Sequence, residues 1–316
     1  MSTRQLQKWA CPPRILLATS LADLGFILPV AIQQALTYKA ELRIVHILPD
    51  PKAYPIGSVP GISYDFDSSQ KSAQAKLEKA VAMATNSGVR CSSRLAVGHV
   101  VTEIMKIAAA WKADRLVTGS QGREKSHLHI LGSVAEAIFH RVEVPVLAIG
   151  PHVASKKKLL KDRMRFVFAT PLDHGSRRMA EFALSVAEKH RADISLLHVS
   201  PEIAPGHPSA ARVTEYAKRM LQDLLCVRPI YRCRPICEVA YGQPAEMILQ
   251  YAEQHSADMI ILGASAHSAF DSRFIPGIAY KVLCESPCPV LVLKQGVEWI
   301  THAEEATPHH SAQMND

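Results

Sequence analysis

No stretch of the 316-residue sequence is apolar for long enough to anchor it in a membrane. The run from Ile15 to Ile32 comes nearest. Asp23 and Pro29 interrupt it and no A-x-A cleavage pattern accompanies it, so it reads as strand, turn and helix. A disulfide framework is missing too. The seven cysteines (Cys11, Cys91, Cys226, Cys233, Cys237, Cys284 and Cys288) are odd in number and irregular in spacing, which points to reduced thiols in the cytoplasm. Neither Cys233/Cys237 nor Cys284/Cys288 has a histidine pair at zinc-finger spacing, and both pairs are expected to be buried packing residues. No aromatic residues interleave with the main basic run. Much of the net charge of +7 sits in Lys156-Lys157-Lys158, Lys161, Arg163 and Arg165, so residues 151–164 read as a solvated basic linker and no nucleic-acid partner is expected.

What is present is a soluble globular composition, 48% hydrophobic and 21% charged, with length for about two domains. Short apolar runs bounded by turn residues read as strands at 14–19, 41–48, 92–97, 115–118 and 144–149. Between them lie helical patterns at 23–39, 71–84, 101–112 and from Ser133 onward. This alternation implies βαβ units and a parallel sheet. Residues 1–12 read as polar and loosely held, and the Pro-rich stretch 49–67 as a loop over a site.

After residue 164 the pattern repeats. Arg165 to Thr170 copies Arg14 to Thr19, and Ala257 to Gly263 copies Ala113 to Gly119. Gly98 to Gly242, Gly119 to Gly263 and Pro145 to Pro289 are each 144 apart, while His46 to His198 is 152 and Ala18 to Ala169 is 151. The first half therefore carries eight extra residues between its second and third strands, and the second gains one in its first turn or helix. Matched offsets of this kind mark a duplication. The domains are read as 13–150 and 165–294, with 295–316 a disordered tail whose His309-His310 is not taken as a metal site.

One stretch carries chemistry. Gly119-Ser120-Gln121-Gly122-Arg123 follows a buried strand, and Gly132-Ser133-Val134 opens a helix with nine residues between Gly122 and Gly132. Glycines let the backbone approach an anion, and a helix start offers unpaired N–H groups at the positive end of the dipole. Ser133 adds a hydroxyl as an N-cap or as a phosphate ligand. The spacing by itself leaves a phosphate site and an empty turn equally open.

Together with Val144-Pro145-Val146-Leu147, the His46-Ile47 strand end and the Gly98 turn, this motif resembles the universal stress protein family, over about 13–150 and again over 165–294. The resemblance implies two tandem open five-stranded parallel sheets with helices on both faces, of the Rossmann-like, adenine nucleotide alpha hydrolase type. Ligands of such sheets sit at the carboxyl ends of the strands. By the same resemblance ATP is the expected cofactor, with Mg²⁺ left open. Gly119 and Gly122 would lie against ribose and phosphates, and Gly132, Ser133 and Val134 would hold the outer phosphates. Arg123 would neutralise charge, the Ile47 backbone would face adenine, and Ala18, Thr19 and Thr118 would line the pocket.

The family has an Asp at the end of the first strand, where this chain has Ser20; Asp23 is expected to lie already on the helix, so a lost carboxylate is expected. In the second half Ala266 and Pro276 replace glycines, and proline has no N–H to offer, so a degenerate copy is expected, serving as an internal pseudo-dimer partner with a homodimer also open. No P-loop lysine or paired acids accompany the motif, and neither a Ser-Gly-Gly-x-Asp-Ser loop nor a His-Ile-Gly-His box is present. His127 and His129 read as idle loop histidines. The expectation is an ATP-binding stress-response protein with at most slow hydrolysis and an unknown protein partner. The alternative is a scaffold of the same fold that holds no nucleotide.

Overall fold

The computed structural model describes residues 3–50, 65–120, 131–150, 152–153, 163–200, 210–225, 233–265 and 277–295. The first half runs α1 (Thr3–Ala10), β1 (Arg14–Ala18), α2 (Leu24–Tyr38), β2 (Glu41–Leu48), α3 (Phe66–Asn86), β3 (Cys91–Val97), α4 (Val100–Trp111), β4 (Arg115–Gly119), α5 (Ser133–Arg141) and β5 (Val146–Ile149). The second runs β6 (Arg165–Ala169), α6 (Ser176–His190), β7 (Asp193–Ser200), α7 (Ala210–Leu225), β8 (Pro235–Tyr241), α8 (Pro244–Gln254), β9 (Met259–Ser265), α9 (Ile278–Glu285) and β10 (Val290–Gln295). The Pro-rich segment 51–64, most of the linker and the tail lie outside the described residues.

The strands form one sheet in the order β3-β2-β1-β4-β5-β10-β9-β6-β7-β8. Within each half every pairing is parallel; the halves join where β5 meets β10 antiparallel. The two five-stranded sheets are thus continuous, and neither fifth strand is an edge. One core packs α1, α2, α3, α6 and α7 on one face; the other packs α4, α5, α8 and α9 on the opposite face. Among the described residues no helix is long and apolar enough to cross a membrane.

The repeat is visible in backbone detail. Helices end in left-handed residues at Lys39, Lys112 and Arg191, and the following Ala40, Ala113 and Ala192 bond back five residues, to Ala35, Ala108 and Ala187. This Schellman-like stop delivers the chain straight into the next strand. The Gly98 and Gly242 turns need φ of +147° and +131°, which only glycine adopts without strain.

The N-terminal residues depart from expectation. They are not loose: α1 places Leu6, Trp9 and Ala10 in the core, a helical i, i+3, i+4 stripe too short to stand out in sequence. Lys8 fastens it to Asp114 at 2.6 Å. Arg163, read as linker, likewise pairs with Asp193 at 2.6 Å. Cys233, Cys284 and Cys288 are buried and Cys237 partly so; burial pushes the Cys284 thiol up to about 12 and that of Cys233 up to about 11, as packing residues require.

Candidate functional site

A cavity of about 640 Å³ opens at the carboxyl ends of β1, β2 and β4. That is where an open parallel sheet holds its ligands, and the volume lies in the range of small-molecule sites. Ala18, Thr19 and Ser20 line it from β1 and the turn beyond. Ile47 lines it from β2, and Thr118 and Gly119 from β4. Gly132, Ser133 and Val134 close it at the start of α5. Gly122 and Arg123, with His127 and His129, lie outside the described residues.

The turn after β1 is built by side chains. Thr19 Oγ1 donates to Asp23 Oδ1 at 2.5 Å and accepts from Leu21 N at 2.9 Å, while Ser20 N donates to Asp23 Oδ2 at 3.4 Å. Leu21 takes a φ of +67°, held in place by these bonds. His46 Nδ1 donates to the Thr19 carbonyl at 2.9 Å, tying the tip of β2 to that of β1. Asp23 is the N-cap of α2 yet makes no capping bond, and it lines the cavity. The cavity therefore does hold a carboxylate, contrary to the expectation drawn from Ser20. The positive-φ turn at Leu21 folds the chain back, so that a residue at the helix start faces the strand end.

On the opposite side, α5 begins at Gly132 in extended conformation, with no side-chain cap. The Gly132 N–H is not free for a ligand: it donates to the Ser120 carbonyl at 2.9 Å, and Ser120 N donates to Ile149 O at 3.0 Å. This corrects the role expected of Gly132, which closes the loop base. The N–H groups of Ser133, Val134 and Ala135 come next, in the first turn, where no intrahelical acceptor exists. All three residues line the cavity.

One wall was illegible in sequence. Ser68, Ser72 and Lys76, four residues apart on α3, line the cavity together with Ser69. Their spacing puts them on one helix face, but serines and a lysine on a charged helix read as ordinary surface. Among the described lining residues Lys76 is the sole lysine or arginine and Asp23 the sole carboxylate.

The equivalent turn in the second half is wired differently. Leu172 repeats the positive φ at +62°, and His198 repeats the bond to the strand-end carbonyl, of Thr170, at 3.0 Å. Thr170 Oγ1, however, donates to Ser176 Oγ at 2.8 Å, and Ser176 in turn donates to Asp173 Oδ1 at 2.9 Å. A hydroxyl thus occupies the place of the Asp23 carboxylate. Asp173 is spent on its own turn, where it also accepts from Gly175 N at 3.0 Å.

A mostly parallel α/β sheet, with a cavity of mixed polar and apolar lining at its strand tips and a helix start without a side-chain cap in the cavity wall, defines the class of fold. The chain belongs to the universal stress protein family, which matches residues 14–150 and again 163–294. A universal stress protein of Thermus aquaticus is 30% identical over 128 residues, covering 39% of this chain and 91% of that protein, so one relative corresponds to one half. A crystal structure of a universal stress protein from Archaeoglobus fulgidus aligns over 90% of this chain and 97% of its own at 22% identity, with a TM-score of 0.67. A functionally unknown protein from Pseudomonas aeruginosa aligns over 95% and 98% at 17% identity, with a TM-score of 0.61. These two structures share the tandem architecture.

Proposed function

We propose that the first half binds ATP, and that the protein acts in the cytoplasm as a nucleotide-dependent binding protein of the stress response rather than as an efficient catalyst. The observation that carries this reading is the uncapped start of α5 in the wall of the cavity: N–H groups at Ser133, Val134 and Ala135, and the Ser133 hydroxyl, make a cradle for phosphate oxygens. The apolar tips of β1 and β2, with Ala18, Val45 and Ile47 lining the cavity, offer an apolar surface for the base. Binding rather than turnover follows from Asp23. It already accepts from Thr19 and Ser20, which suits it to orient a sugar hydroxyl more than to serve as a base. The second half, with Ser176 at the corresponding place, is read as a non-binding copy.

The test is nucleotide analysis of the denatured protein, followed by calorimetric titration of ATP, with and without Mg²⁺, into wild type and Ser133→Pro. Proline is well tolerated at the first position of a helix, so this variant keeps the fold while removing one N–H and one hydroxyl from the cradle. One ATP per chain, weakened at least about tenfold by the substitution, supports the reading. Two per chain would restore the second half as a site. No heat from micromolar to millimolar ATP would leave the scaffold function of the same fold.

A further inference from the structure

We infer that the second half serves as a clasp, in which Tyr280 and Lys294 position α5, the anion-binding helix of the first half, from both of its ends. The inference rests on the nucleotide reading for its functional meaning, but its geometry stands alone. Leu131, the residue before Gly132, donates its N–H to the Tyr280 hydroxyl of α9 at 3.1 Å. Cys284, one turn further along α9, lies against the same Leu131 backbone. At the other end of α5, Lys294 Nζ of β10 donates to the His140 carbonyl at 2.8 Å. That carbonyl is one of the last four of the helix, which have no intrahelical donor, and a cation there complements the dipole.

Between these two points the halves are in close approach. A Cβ on Gly150 would stand 3.3 Å from Ser120 Oγ and 3.9 Å from the carbonyls of Leu283 and Ser286. Ser120 is wholly buried and supplies the carbonyl that Gly132 N–H bonds. The end of α9 therefore packs directly on the base of the phosphate loop.

Among the described residues the contact made by Lys294 runs one way. At the 144-residue offset, Glu136 stands in the first half where Tyr280 stands in the second, and Gly150 where Lys294 stands. Gly150 has no side chain with which to return the bond that Lys294 gives. A duplication that merely conserved its interface would keep both contacts symmetric. Here the half with the rewired turn holds the helix of the half with the cavity, and Tyr280 and Lys294 are positioning residues for the site they do not touch.

The experiment uses the full chain and the variants Tyr280→Phe, Lys294→Met and the double substitution. ATP and adenosine are titrated into each, and amide exchange is followed without ligand. The double variant is expected to bind ATP about five- to tenfold more weakly, the effect of losing about one hydrogen bond's worth of order in the cradle, with adenosine binding within about twofold of wild type. Equal ATP affinity, or an equal loss for adenosine, overturns the positioning role. Should wild type bind no ATP, the nucleotide reading fails and exchange decides the clasp. Tyr280→Phe must then speed exchange at Leu131 and in the first turn of α5 while sparing β4 and β9; unchanged rates at Leu131 overturn it.

Discussion

Leu147 and Leu291 stand opposite one another in the ladder between β5 and β10, and each is the other's copy, 144 residues apart. Their neighbours exchange roles: Val146 meets Val292, and Ala148 meets Val290. Since 146 and 290, and 148 and 292, are also 144 apart, the ladder has the two-fold symmetry of an isologous contact between identical subunits. Both leucines are wholly buried.

That symmetry gives the first prediction. Residues 1–153 alone, about the length of the single-domain relatives, would leave β5 as a bare apolar edge. Such an edge recruits another strand. Sedimentation should show a dimer, and Leu147→Lys should make it a monomer; a monomeric unsubstituted fragment would show that β5 does not pair with itself.

Asp23 should matter for stability as well as for binding. Asp23→Ala strips the Thr19 hydroxyl and the Ser20 N–H of their acceptor in a turn that also holds Leu21 at positive φ. The expected loss is about 1–3 kcal/mol, read from urea unfolding, with Asp23→Asn losing less because it keeps an acceptor. Asp173→Ala, in the second half, should cost a comparable amount of stability yet leave ATP binding unchanged.

His190 predicts a sensitivity to acid. It sits at 3.0 Å from the Tyr38 hydroxyl and edge-on to Phe166, and burial, followed by the nearby Arg115 charge, pushes its imidazole down to about 3. The unfolded chain takes up a proton below about pH 6.5, whereas the folded chain resists until about pH 3. Stability is therefore full above pH 6.5 and falls as the pH drops through that window. Between pH 7.5 and 5 this histidine should account for about 1–2 kcal/mol. His190→Gln should flatten the pH dependence of the urea midpoint over that range; an identical slope would exclude His190 as its source.

Arg115 is buried without a carboxylate partner among the described residues. Its guanidinium donates to Gln34 Oε1 at 2.8 Å and to the Trp9 carbonyl at 2.9 Å, and lies 4.8 Å from the centre of the Tyr38 ring. Arg115→Lys keeps the charge but cannot span both acceptors or stack, and should cost about 2–4 kcal/mol. Since Trp9 belongs to α1, that helix should loosen first, and trypsin should cut after Arg4 or Lys8 faster than in wild type. Unchanged cleavage would mean that the apolar stripe alone holds α1.

The sequence by itself determined the strands, their βαβ alternation, the duplication and the helix start at Ser133, because each is a local pattern: apolar runs, turn residues, fixed offsets. It could not place Asp23, since three residues from a strand end says nothing of a turn that folds back through a positive φ at Leu21. Nor could it separate Ser68, Ser72 and Lys76 from any other polar helix face, or read α1 from three apolar residues. Those depend on what each face packs against. Only the tertiary structure decided that β5 and β10 fuse the halves into one sheet and that Tyr280 and Lys294 reach across to α5, because such contacts join residues about 150 apart through side chains whose local context carries no trace of their partners.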